Sequence, residues 1–146
     1  MTNSHTELGN RPVLFVCVEN SCRSQIAEAF GNMYNNGKFD FYSSGSSPSG
    51  KINPKAISSM IAIGYDMDDH YSKSLEEIPK VHWAYVITMG CGDACAHLPA
   101  TNHEDWPIPD PRHLDQEEFD EVLDQIKARV KDLIERAGKA CKDSPA

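Results

Sequence analysis

Two side chains in the first quarter of the chain could do chemistry together. Cys17 is a potential thiolate nucleophile, and Arg23, separated from it by the five residues V-E-N-S-C, is a two-pronged cation. The segment C-V-E-N-S-C-R-S runs from Cys17 to Ser24. Its chemistry would be capture of a tetrahedral oxyanion. Backbone N–H groups of a loop that opens a helix carry partial positive charge, and a guanidinium matches two oxygens of such an ion. The same field stabilises negative charge on the Cys17 sulfur. Val18, Glu19, Asn20, Ser21 and Cys22 would form the wall of the cradle, with Arg23 at its end. Ser24 can donate to the sulfur, and Asn20 tolerates a left-handed backbone that would brace the loop. The plainer alternative is a buried structural cysteine and a surface arginine, since C-x5-R is frequent by chance. A strand before it, a helix after it, and Asn and Ser in place favour the cradle.

The elements needed to hold that loop are legible on either side. RPVLFVC (11–17) is an uninterrupted apolar run, as expected of a strand buried on both faces of a parallel sheet. Ser24 to Asn35 has helical spacing, with Ile26, Ala27, Phe30, Met33 and Tyr34 on one side. FDFYSSG (39–45) reads as the second strand, and NPKAISSMIAIG (53–64) as a helix with an Asn-Pro start and a Gly64 stop. HWAYVITMG (82–90) is a third buried strand. The proline-rich stretch 103–111 reads as loop with one short strand near Trp106, and Asp115 to Ala137 as a long amphipathic helix. Strands alternating with helices imply right-handed crossovers and a mainly parallel sheet. Ligands in such folds bind beyond the carboxyl ends of the strands. Cys17, the segment Gly90 to Cys95 and Asp110 all follow strands or strand ends, so they are expected to converge.

The chain of 146 residues suits one domain, 1–146, with an ordered core of about 11–138 and polar, frayed ends. A net charge of -8 argues against a nucleic-acid partner and offers no long-range attraction for an anion. Any anion must therefore be held by local dipoles and one or two well-placed cations. No apolar run reaches the length of a membrane span and no export signal precedes the first strand, which points to a cytoplasmic protein without a membrane partner. Five cysteines, at 17, 22, 91, 95 and 141, are an odd set for a disulfide scaffold. Cys91 and Cys95 lie four apart after the third strand, and their Cα atoms would be roughly 6 Å apart in a helix, near the upper limit for a disulfide. They could also be two buried small side chains. With His97 and His103 they make C-x3-C-x-H-x5-H, which is no standard zinc spacing, so no metal is expected.

The run V-C-V-E-N-S-C-R-S-Q-I-A-E-A resembles the loop of the low-molecular-weight protein tyrosine phosphatase superfamily, and within it the arsenate reductases that thioredoxin recycles. The resemblance extends over roughly residues 12–137. It implies an α/β three-layer sandwich, a four-stranded parallel sheet with helices on both faces. It also implies that Cys17 attacks an arsenate or phosphate oxyanion bound by Arg23. The oxygen expelled needs a proton. Asp110-Pro111 resembles the general-acid loop, although a turn aspartate would look the same. In the same way the resemblance assigns redox roles to Cys91, which would attack the arseno-cysteine adduct, and Cys95, which would form a disulfide with Cys91. Cys22, with another thiol as donor, is the alternative resolving group. The external donor implied is thioredoxin, or glutaredoxin, and the protein would act as a monomer with no bound cofactor. A phosphatase that uses Cys17, Arg23 and Asp110 alone is the alternative activity.

Four positions depart from the family pattern. Glu19 stands where the family has glycine, and its carboxylate is expected to point to solvent. The tyrosines that flank an aromatic substrate after Asp-Pro are replaced by Arg112 and His113, which favours a small inorganic substrate. Some relatives bind potassium at positions matching Asn20, Glu28 and Ser43 plus an aspartate; Lys73 takes the aspartate's place here, so an ammonium replaces the ion. His70 resembles a position packed beneath the anion loop.

Overall fold

A computed structural model describes residues 10–90 and 98–143. Its centre is the apolar run, β1 (Arg11–Cys17), whose last five residues are all buried. β1 is flanked by β2 (Phe39–Gly45) on one side and β3 (Trp83–Thr88) on the other, and β4 (Ala100–Asp105) lies outside β3. All these pairings are parallel, in the order β2-β1-β3-β4. This is the α/β fold expected. The chain moves outward to β2 and then back across to β3, so the strand order reverses beside the end of β1, where parallel sheets open a crevice.

Alternate residues of β1 feed the two faces. Val13, Phe15 and Cys17 join the larger core with α1 (Arg23–Tyr34), α2 (Pro54–Ala62) and α3 (Gln116–Asp143). Leu14 and Val16 join a smaller core with Ile78, Trp83 and Val86, backed by Leu75 of a 3₁₀ turn, Leu75–Glu77. Asn53 starts α2 as expected: its Oδ1 accepts from the N–H of Lys55 at 2.8 Å, ahead of Pro54. α3 begins on a reciprocal cap, in which Asp115 Oδ1 accepts from the N–H of Glu118 and Glu118 Oε1 accepts from the N–H of Asp115.

Two boundaries differ from expectation. The fourth strand covers Ala100–Asp105 and stops before Trp106; it is an edge strand with half its side chains in water, so its sequence is polar. The last helix continues past Ala137 to Asp143, so Cys141 belongs to a helix and not to a frayed end. Edge position also explains how Glu104 can bind Arg136 of α3 through both carboxylate oxygens, at 2.7 and 2.8 Å, while accepting from Trp106 Nε1 at 2.9 Å. That cluster anchors the start of the 106–112 loop. Among the described residues, no helix is long and apolar enough to cross a membrane.

Candidate active site

The loop Val18–Cys22 is folded by what holds its carbonyls. Those of Cys17, Val18, Glu19 and Ser21 accept from the backbone N–H groups of Ser46, Ser47, Ser49 and Asn53, at 2.8–3.3 Å. Ser72 Oγ also donates to the Glu19 carbonyl at 2.9 Å. Each trans peptide points its N–H opposite to its C=O, so outward carbonyls turn the loop N–H groups toward its interior. Asn20 supplies the left-handed turn, with φ 52°. Gly45, at the end of β2, lets the loop approach: a Cβ there would lie 2.6 Å from the Val18 carbonyl oxygen. α1 then starts at Arg23 with no side-chain cap among the described residues, which leaves its first N–H groups and its dipole to the loop.

Cys17 lies at the foot of this loop, 4% exposed. Its sulfur is 2.8 Å from Ser24 Oγ. Ser24 Oγ already accepts from Asn20 Nδ2 at 2.8 Å, which leaves the serine proton for the sulfur. The chain of bonds continues through the core. Gln25 Nε2 donates to Asn20 Oδ1 and to the Tyr71 carbonyl, and His70 Nδ1 donates to Gln25 Oε1, each at 2.8 Å. His70 Nε2 then accepts from the Tyr65 hydroxyl at 2.7 Å. This assignment needs the neutral imidazole. Burial lowers the His70 pKa below its usual range, against an opposing pull from Glu28. His70 therefore braces the loop from beneath, as expected, at four side-chain bonds' remove from the sulfur.

Arg23 is positioned from the far side of the cleft. Its Nη1 donates to the Ile108 carbonyl at 3.0 Å and its Nη2 lies 3.9 Å from Asp110 Oδ2. Gly90, just past β3, has φ +84°, and a Cβ built on it would collide with the Arg23 guanidinium. The sequence signal for Gly90 is a glycine closely following a buried strand. Cys17, Val18, Glu19, Ser21, Cys22 and Arg23 share one cleft of about 610 Å³ with Gly90, Asp110 and Arg112. Asn20 and Ser24 are wholly buried behind it and act through hydrogen bonds. Of the expected convergence of Cys17, the segment Gly90 to Cys95 and Asp110, the described residues Cys17, Gly90 and Asp110 do meet at this cleft. Cys91 and Cys95, with the redox roles the resemblance implies for them, lie outside the described residues, as does His97 of the zinc reading; His103 is in β4.

Cys22 is buried, and burial, then the proximity of Cys17 and of Asp110, pushes its pKa up to about 12. A raised pKa favours the thiol over the thiolate, the form that attacks sulfur. Glu19 corrects an expectation: its carboxylate does not simply point to solvent but accepts from Arg112 Nη1 at 2.9 Å across the mouth of the cleft. Lys73 fills the position expected of it. Its ammonium lies 3.1 Å from the Tyr71 carbonyl, 3.5 Å from Ser43 Oγ and 3.6 Å from Glu28 Oε1. Ser43 Oγ in turn donates to Glu28 Oε1.

A nucleophilic cysteine in an oxyanion cradle, on a parallel sheet of order 2-1-3-4 with an arginine and an aspartate opposite, defines a class of thiol enzyme that handles tetrahedral anions. The model of the low molecular weight phosphotyrosine protein phosphatase family matches residues 12–143, and the chain belongs to that family. It is 35% identical over 130 residues to arsenate reductase 1 of Staphylococcus epidermidis, covering 86% of this chain and 97% of that one. A solved structure described as an arsenate reductase in the phosphate binding state superposes with a TM-score of 0.76 at 36% identity, covering 86% of this chain and 98% of the other. A thioredoxin-dependent arsenate reductase of Corynebacterium glutamicum gives a TM-score of 0.73 at 29% identity, covering 90% of this chain and 64% of that longer one.

Proposed function

We propose that this protein is an arsenate reductase that draws electrons from thioredoxin. The observation that carries the reading is the joint placement of Cys17, Arg23 and Asp110 around one cleft, in a chain whose curated relatives are arsenate reductases along nearly their full length. Arsenate binds to the loop N–H groups and Arg23. The Cys17 sulfur attacks arsenic, and Asp110 protonates the departing oxygen, leaving a Cys17–S–As(V) adduct. The thiolate of Cys91 attacks the Cys17 sulfur; the S–As bond breaks with its electron pair going to arsenic, which leaves as arsenite, As(III). Cys95 then displaces Cys17 from that disulfide, and thioredoxin reduces the Cys91–Cys95 bond. Each sulfur attacked has a leaving group, so no other reductant is needed. The burial of Cys22, which raises its pKa, supports assigning the relay to the other two cysteines.

The test is arsenate-dependent NADPH oxidation with thioredoxin and thioredoxin reductase, in wild type and in Cys91→Ser and Cys95→Ser variants. Turnover that is lost in both variants supports the relay. Absence of turnover with thioredoxin or glutaredoxin, beside aryl phosphate hydrolysis that needs only Cys17, would replace the proposal with a phosphatase.

A further inference from the structure

Glu19 and Arg112 are 93 residues apart in sequence and meet over the opening of the cleft. Glu19 belongs to the anion loop and Arg112 to the loop that carries Asp110. Arg112 also grips Asp110, donating from Nε to Oδ2 at 3.0 Å and from its backbone N–H to Oδ1 at 3.1 Å. The side chains of Arg112, Glu19 and Asp110 are 48%, 39% and 39% exposed, so all three stand at the rim and not in the core. Asp110 is thereby held between Arg112 on the outside and Arg23, 3.9 Å from the same oxygen, on the inside.

We infer that Arg112 is a positioning and specificity-determining residue: with Glu19 it forms a strut that aims Asp110 into the cleft and selects compact inorganic oxyanions over bulky phosphate esters. The inference rests on the arsenate reductase reading and names how that site chooses its substrate. Two physical arguments converge on it. The first is charge. Glu19 and Asp110 would both repel an incoming dianion, in a protein whose net charge is already -8. Arg112 is bonded to both carboxylates and offsets them at the point of entry. The second is space. The bond from Glu19 to Arg112 ties the anion loop to the Asp110 loop at the rim of the cleft that both residues line, so a bulky substituent leaving the cleft between those loops would have to break it, whereas a bare tetrahedral ion carries no such substituent. The strut is an ion pair in water, so its effects are expected to be several-fold and not total.

The experiment measures kcat and KM for arsenate in the thioredoxin-coupled assay, and kcat/KM for hydrolysis of para-nitrophenyl phosphate. The set is wild type, Glu19→Ala, Arg112→Ala, Arg112→Lys and the double variant Glu19→Ala with Arg112→Ala. Removing Arg112 alone leaves Glu19 unpaired at the rim, and the KM for arsenate rises about fivefold. Removing Glu19 as well restores that KM to within about twofold of wild type, while kcat stays low because Asp110 has still lost its support. Arg112→Lys keeps the charge but not the fork, so it recovers KM and not kcat. Glu19→Ala opens the mouth while the bonds from Arg112 to Asp110 stay in place, and aryl phosphate hydrolysis rises about threefold or more. An unchanged ratio of aryl phosphate to arsenate kcat/KM in both single variants, or a KM that worsens additively in the double, would overturn the strut while leaving arsenate reduction standing. A wild type that hydrolyses the aryl ester but never reduces arsenate would overturn the functional reading instead; the aryl ester arm still judges the strut in that case.

Discussion

The hydrogen bond from Ser24 to Cys17 gives the most quantitative handle on the nucleophile. Both residues are buried, at 0% and 4% exposure, so the bond is not replaced by water when it is lost. A hydrogen bond to a charged group is worth about 1.5–3 kcal/mol. Ser24→Ala removes it from the sulfur in the attacking state, which slows adduct formation by about tenfold to about 150-fold. The same change leaves Asn20 Nδ2 buried with its acceptor gone, at a stability cost of about 1–3 kcal/mol. The assay is single-turnover arsenite release from prereduced enzyme, with the rate of Cys17 alkylation by iodoacetamide as a second readout that does not involve arsenate. A urea titration fixes how much of the variant is folded under the assay conditions. A folded Ser24→Ala enzyme that forms its adduct within about twofold of the wild-type rate would refute the claim that Ser24 donates to the sulfur.

Other expectations follow from the same geometry. Gly90→Ala forces a side chain into the left-handed region against Arg23; it should lower stability by about 1–2 kcal/mol and weaken phosphate inhibition about tenfold, read by a urea titration and by the inhibition constant. His70 has its folded pKa lowered by burial, so its contribution to stability is present above the unfolded value of about 6.5 and is lost as pH falls below it. Urea midpoints measured from pH 7.5 to 5.5 should fall for wild type and flatten for His70→Gln; equal slopes would contradict this. Because the Lys73 ammonium lies among Glu28, Ser43 and Tyr71, replacing potassium by a large organic cation should change kcat/KM for arsenate by less than about twofold. Lys73→Met should destabilise the fold by about 3 kcal/mol in the same titrations, since it leaves Glu28 partly buried without its cation.

The parts of the fold that were legible in the sequence are those where one physical demand dominates. RPVLFVC had to be buried on both faces, Asn53-Pro54 could only start a helix, and the C-V-E-N-S-C-R-S loop joined a strand to a helix with Asn20 where the backbone turns left-handed. β4 was placed too late because an edge strand of sequence ATNHED buries only one face and offers no apolar run. The proline-rich segment that follows drew the expected strand toward Trp106. The last turns of α3 were missed because the apolar periodicity ends at Ala137, although nothing there forbids the helix to continue. At the site, Cys17 and Arg23 were legible from local spacing between a strand and a helix, and Asp110 only through the family resemblance of Asp110-Pro111. The bond between Glu19 and Arg112 was not, because it depends on where two loops 93 residues apart meet in space. Gly90 was equally silent, since its requirement comes from Arg23 and not from its own neighbours in sequence.

The most direct test of the central claim needs no electron donor. Prereduced enzyme mixed with excess arsenate, without thioredoxin, should release one arsenite per chain and lose two titratable thiols in the same burst, because the electron pair comes from the protein's own cysteines. Cys17→Ser should release none. A wild type that binds phosphate at the cleft and hydrolyses aryl phosphate, yet releases no arsenite and keeps all its thiols, would contradict the account and leave a phosphatase in its place.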